Sequence, residues 1–240
     1  MKQIFLVALA ALALTSCKKN YTYTIDGSFD IPLTYQLGDT LLERGPITGY
    51  VFLYSLDGVP FDSVQIIDET FSFSGPVDPK QPYFVYLVSE YAAGMFAIEP
   101  GNIKAVVGEP VVVTGTPIND EINSLMTRVD SIGMLLAEEM EAKQPSSESG
   151  LTEEDILPIY LKYNSLVTEI VDSLYQANTD NLVGVYCANV KTAQARSSAE
   201  MKEMMQSFSP YVNESELLQQ HLNYLLQIES QPDGEDSAGD

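Results

Sequence analysis

From Tyr21 to about residue 115, apolar residues take every second position in short bursts: Tyr21, Tyr23 and Ile25, then Val51 and Leu53, then Val64 and Ile66. Phe71 and Phe73 continue the pattern, as do Phe84, Tyr86 and Val88, and apolar runs follow at Met95–Ile98, Ile103–Val107 and Val111–Val113. A period of two sends alternate side chains to one face of an extended chain, so each burst predicts a half-buried strand. Asp57-Gly58, Gly75-Pro76, Pro79–Pro82, Pro100-Gly101 and Gly108–Pro110 separate the bursts with residues suited to turns. About eight short strands at spacings of roughly 8 to 12 residues predict an antiparallel β-sandwich or open barrel.

From Asn119 the period lengthens to that of a helix, with Ile122, Leu125, Met126, Val129, Ile132, Leu136 and Met140 along one face. Pro117 suits a first helical position and Asn119 an N-cap, so either marks the entry. Lys143–Gly150 is a polar break. A second helix opens at Thr152, with Asp155 as box partner and a staple from Leu151 to Ile156; its stripe runs through Ile159, Tyr160, Tyr163, Leu166, Val167, Ile170 and Leu174. Pro158 cannot donate to the carbonyl of Glu154, which implies a loose first turn or a start near Leu157. Three more helices are expected: Asp180–Val190; one from Ser197, boxed by Glu200; and one from Asn213, boxed by Glu216 with a staple from Val212 to Leu217. The fold class is therefore α+β. A β-module spans 17–117, a helical region 118–228 and an acidic, disordered tail 229–240.

The first sixteen residues read differently. Lys2 precedes an unbroken apolar run, Ile4–Leu14, and Leu14-Thr15-Ser16-Cys17 fits the L-x-[AGS]-C pattern of bacterial lipid modification. Such a run spans about 16 Å as a helix against a hydrocarbon core of roughly 30 Å, so residues 1–16 are expected to be a cleaved export signal. Cys17 is then the lipidated first residue of the mature chain. Lys18-Lys19-Asn20 lacks the acidic surface address of Bacteroides-group lipoproteins, which points to an outer-membrane anchor facing the periplasm.

Charge narrows the partners. A formal net charge of −22, concentrated in the helical half, repels phosphate backbones and excludes nucleic acid as a ligand. Two cysteines, one of them Cys17, leave Cys187 with no disulfide partner and no Cys-x-x-Cys pair. Cys187 sits among Val185, Tyr186 and Ala188 with no adjacent cation, so a packing role is expected. A single histidine, His221, beside the stripe of the last helix, rules out a cysteine–histidine zinc site and argues against a hydrolase triad.

Two acidic runs, Glu138, Glu139 and Glu141, then Glu153, Glu154 and Asp155, lack the alternating form of a calcium loop and read as solvated helix surface. No catalytic residue, metal ligand or cofactor site emerges, and phosphate loops and nucleophile elbows are absent. Of the tyrosines, Tyr35, Tyr50, Tyr54, Tyr83 and Tyr91 fall in the strand half, where most are expected to pack the sheet and an exposed row would offer a stacking face.

Several short motifs recur in a recognisable order: Tyr23-x-Ile25-x-Gly27, Asp62-Ser63-Val64, Phe71-Ser72-Phe73-Ser74-Gly75, Ile98-Glu99-Pro100-Gly101-Asn102-Ile103 and Val113-Thr114-Gly115-Thr116-Pro117-Ile118-Asn119. On these the segment Tyr21–Leu125 resembles the N-terminal module of unknown function, family 4369, that precedes thioredoxin-like domains in Bacteroides-group lipoproteins. The helical half, including Asn181-Leu182-Val183-Gly184, is similar to the connector after that module. Here the sequence reaches Asp240 without a Cys-x-x-Cys domain, so the resemblance does not imply oxidoreductase activity.

These readings lead to a non-enzymatic envelope lipoprotein, a binding or scaffold module tethered to the membrane through Cys17, with a possible envelope protein partner at sheet edges or helix surfaces. The alternative is an accessory partner of a separate periplasmic thioredoxin-like protein. A third reading is a glycan-binding lipoprotein.

Overall fold

The structure is a computed structural model that describes residues 21–37, 40–143 and 152–231. Ten strands are present among these residues: β1 (Thr22–Phe29), β2 (Thr34–Leu37), β3 (Thr40–Glu43), β4 (Tyr50–Tyr54), β5 (Pro60–Gln65), β6 (Thr70–Pro76), β7 (Tyr83–Val88), β8 (Ala93–Ile98), β9 (Gly101–Val107) and β10 (Val112–Thr114). Six helices follow: α1 (Pro117–Ala142), α2 (Glu153–Ala177), α3 (Leu182–Thr192), α4 (Ser198–Met205), α5 (Pro210–Asn213) and α6 (Glu216–Ser230). All eight expected strands form. The β2–β3 hairpin is additional: Leu33, Tyr35 and Leu37 alternate along its first strand, whereas Leu41 and Leu42 are adjacent in its second.

Two four-stranded sheets, ordered β10-β9-β1-β6 and β5-β4-β7-β8, face each other. Their alternating inward residues build one core, with Tyr23, Ile25, Phe73, Ile103 and Val107 from the first sheet meeting Val51, Leu53, Leu87, Phe96 and Ile98 from the second. The expectation of a wholly antiparallel sandwich needs one correction. β1 and β9 run parallel, Tyr23 opposite Gly101 through Phe29 opposite Val107, because a long excursion through the second sheet separates them.

The second sheet is covered by the first sheet on its inner face and by helices over the β7–β8 part of its outer face. Phe84 and Ala97, on the face turned away from the sandwich core, share a cluster with Ile122, Leu125, Leu182, Val183, Val185, Leu217 and Leu218 from the helices. This double burial explains why β7 reads Tyr-Phe-Val-Tyr-Leu-Val with Phe84 and Val85 both buried. The chain is thus sheet, sheet and helical layer in contact.

The helical entry settles on Pro117, with Thr116 as N-cap. Asn119 lies inside the helix. At α2 the N–H and hydroxyl of Thr152 both donate to Asp155, at 3.2 and 2.6 Å, and the helix runs from Glu153 straight through Pro158. A proline this near an N-terminus deprives only one carbonyl of its partner, so neither a loose turn nor a later start is needed. Leu151 and residues 144–150 lie outside the described residues, and with them the staple and most of the polar break.

Asn181 caps α3, its Oδ1 accepting from the N–H of Val183 and of Gly184. Ser197 caps α4 by accepting from Glu200 N–H at 3.1 Å, while the Glu200 carboxylate takes the N–H of Arg196. The start expected at Asn213 shifts: Asn213 ends the one-turn α5 that Ser209 caps, and α6 begins only at Glu216. Helix α6 also continues to Ser230, two residues into the stretch expected to be disordered, since Glu229 accepts from the N–H and hydroxyl of Ser198, both at 2.6 Å. Residues 232–240 are outside the described residues.

Candidate functional site

The passage from sheet to helix is a dense polar junction. Asn119 Nδ2 donates to the carbonyl of Ala97 at 2.8 Å and to Thr116 Oγ1 at 2.9 Å, and its Oδ1 accepts Ala97 N–H at 2.9 Å. One side-chain amide therefore satisfies both backbone groups of Ala97, as a neighbouring strand would. The buried Glu99 carboxylate accepts the N–H of Ile118 at 2.8 Å and of Asn119 at 3.4 Å, placing negative charge at the N-terminus of α1. Asp120 accepts Gly115 N–H at 2.7 Å; Gly115 itself has φ +95, and a side chain there would meet the Asn102 carbonyl at 2.5 Å.

Beside this junction a cleft of about 590 Å³ opens between β8 and β10, bounded by α1 and by Tyr186 and Asn189 of α3. Apolar walls come from Met95, Ile122, Met126 and Val111. Asn123, Asp130 and Asn189 reach it, and their side chains have no hydrogen-bond partner among the described residues. Tyr186 donates to the Met126 sulfur at 3.2 Å, a weak acceptor, and its ring lies 6.3 Å from that of Phe84. Burial, then the neighbouring Cys187 and Asp130, raise the Tyr186 phenol above its ordinary value. Glu109 and Asp130 are the charged residues of the lining.

A second exposed feature lies on the same sheet. With Val51 and Leu53 turned inward, Tyr50, Phe52 and Tyr54 line the outer face of β4, and consecutive ring centroids are 6.2 Å apart. Tyr50 is 52% and Phe52 36% exposed. Tyr86 stands opposite Tyr54 on β7. These residues form the row for which the sequence left room among its tyrosines.

Cys17 is outside the described residues. Cys187 is fully buried, and burial, reinforced by Glu121, pushes its thiol up to about 12. His221 is half-buried on α6. Glu138, Glu141, Glu153, Glu154 and Asp155 are exposed; Glu139 pairs with Lys162 at 2.6 Å and accepts from Tyr163 Oη at 2.8 Å. The lysine, then the tyrosine, holds the Glu139 carboxyl below its ordinary range. Among the described residues no group of three histidine, cysteine or acidic side chains is placed to hold a metal ion, and no helix is long and apolar enough to cross a membrane. The β8 cleft escaped sequence reasoning, since it joins residues 92–96 to 108–130 and 186–189; the position of Asn119 at the head of the helix was its one local signal.

Residues 23–122 match the family described as Domain of unknown function (DUF4369). The match spans both sheets and ends at Ile122, one turn past the junction, so the residues that tie sheet to helix belong to the module itself. No curated protein matches the chain. No solved structure matches it.

Proposed function

We propose that this chain is a non-enzymatic binding module of the bacterial envelope, anchored by lipid on Cys17 to the outer membrane and facing the periplasm. The observation that carries the binding part is the cleft at the β8 edge, where apolar walls surround polar side chains with no partner among the described residues. Anchoring is supported by the Leu14–Cys17 pattern after its short apolar run. Cys187 supports the non-enzymatic part, because a thiol buried in apolar surroundings is a poor nucleophile at neutral pH.

Membrane partition tests the anchor. Several acyl chains on one residue bind a bilayer stably where a single chain does not, so the mature protein should sediment with envelope membranes and Cys17→Ala should move to the soluble fraction. A correctly exported Cys17→Ala variant that stays membrane-bound defeats the lipoprotein reading. A second reading, glycan capture, is favoured by the Tyr50, Phe52 and Tyr54 row, since aromatic faces stack on the apolar faces of sugar rings. It requires that Phe52→Ala abolish retention on an immobilised polysaccharide; unchanged retention removes it.

A further inference from the structure

In an antiparallel pair, residues alternate between turning N–H and C=O toward the partner strand and turning them away. Ala97, opposite Phe84, gives both groups to Asn119 and so points away from β7. By the same alternation Met95, opposite Tyr86, and Ala93, opposite Val88, direct their N–H and C=O to that free edge. Strand β8 is the last in its sheet, and no side chain among the described residues bonds these four groups. They face the cleft between β8, β10 and α1. A free edge beside an apolar groove is the arrangement in which an extended peptide adds as a strand, main chain giving affinity and alternate side chains giving specificity.

We propose that the edge of β8 at Ala93–Met95 takes an extended peptide segment bearing a cationic side chain as an added strand. The proposal rests on the binding-module reading above and names the ligand class of that site. Charge selects the occupant: Glu109 and Asp130 line the cleft, and no lysine or arginine does. A second copy of this chain is disfavoured by its net charge of −22, which repels itself. Asn119 occupies the edge at Ala97 and ends the added ladder there, so only the four groups of Ala93 and Met95 are offered. Tyr186, held by a weak sulfur acceptor, and the side chains of Asn123 and Asn189 remain to bond the incoming segment.

The probe is an acetylated, amidated Thr-Val-Thr-Lys-Val-Thr peptide titrated into the full mature chain in detergent, read by backbone amide shifts and by anisotropy. Shifts centred on Ala93 and Met95 are expected, and N-methylating alternate amides of the probe should abolish binding without touching the protein. Asp130→Asn should weaken binding about two- to fivefold, the range of an exposed ion pair. Met95→Pro removes an N–H that points away from the ladder, a change edge strands accept, and should lose binding with the melting curve retained. If Met95→Pro unfolds, the N-methylated probe decides alone. Equal binding of the methylated probe, equal binding of a probe with Glu in place of Lys, or no binding at about 1 mM overturns the proposal. Shifts at Tyr50, Phe52 and Tyr54 instead also overturn it, placing the ligand on β4. Any of these with Cys17-dependent membrane partition intact leaves the anchoring reading standing, whereas its loss removes that reading.

Discussion

Gly27 and Gly75 hold their places because rings lie where their side chains would be. Gly27 sits opposite Phe71 and Gly75 opposite Tyr23 across the β1–β6 pair, and a Cβ at either would fall 1.9 Å from the Phe71 ring or 2.8 Å from Tyr23 Oη. The two aromatic residues thus cover the two glycines reciprocally, which accounts for the Tyr23-x-Ile25-x-Gly27 and Phe71-Ser72-Phe73-Ser74-Gly75 motifs as one packing device. Gly184 answers to a backbone instead, its Cβ position lying 1.8 Å from the Asn178 carbonyl. Cys187 belongs to the same scale. Its folded-state value of about 12 lies above the ordinary thiol value, so the thiolate is suppressed at neutral pH in the folded chain and released on unfolding. Disulfide exchange with an aromatic reagent at pH 8 should therefore be slow in the native protein and rapid in denaturant. Fast native labelling contradicts the packing role.

The β5–β6 connection shows an element held by partners far along the chain. Ile67 and Thr70 exchange both backbone bonds around Asp68 and Glu69, whose φ of 50 and 57 are the positive values a two-residue hairpin of this twist requires. Neither is glycine, so the turn carries strain. Arg44, just after β3, donates to both Glu69 oxygens at 2.8 and 3.1 Å, and Ile47 N–H adds a bond at 3.4 Å. Hydrogen bonding from Arg44, against partial desolvation, lowers the Glu69 carboxyl below 4.5. A lowered folded value means the pair stabilises above the unfolded value and that this contribution disappears as pH falls through the folded one. Glu69→Gln should consequently lose stability near neutral pH but match the parent under strongly acid conditions in denaturant titrations. A difference that persists undiminished in acid rules out the ion pair as its source.

At the scale of the whole molecule, the middle sheet is the shared wall. Its inner face carries Val51, Leu53, Leu87 and Phe96 against the sandwich core, and its outer face carries Phe84 and Ala97 against α1 and α3. Half of that outer face is capped by helices, while the half bearing Tyr50, Phe52 and Tyr54 is open. A fragment of residues 21–116 would leave Phe84, Met95 and Ala97 uncovered and remove the Asn119 amide from Ala97. We expect it to bind an apolar dye or aggregate, whereas the whole chain melts in one transition. A fragment that melts cooperatively and stays dark with the dye separates the layers into independent units.

Local pattern determined most of the elements: the period-two bursts placed eight strands, and the period-3.6 stripes with Ser, Thr and Asn caps placed the helices to within a few residues. β2 and β3 went unplaced, although Leu33, Tyr35 and Leu37 alternate through β2, because the partner stretch Thr40–Glu43 sets Leu41 beside Leu42 and shows no period; the last helix was misplaced because Asn213 and Ser215 are equally good local caps. Motif residues such as Glu99, Gly115 and Asn119 were visible in the sequence without their roles. Those roles depend on distance: Glu99 caps a helix that begins at Pro117, and Asn119 pairs with a strand more than twenty residues earlier. The candidate site is tertiary for the same reason. A free edge exists only once strand order is fixed, and neither the parallel β1–β9 pair nor the terminal position of β8 is encoded in any local period, because both follow from which hydrophobic faces bury each other when the whole chain closes.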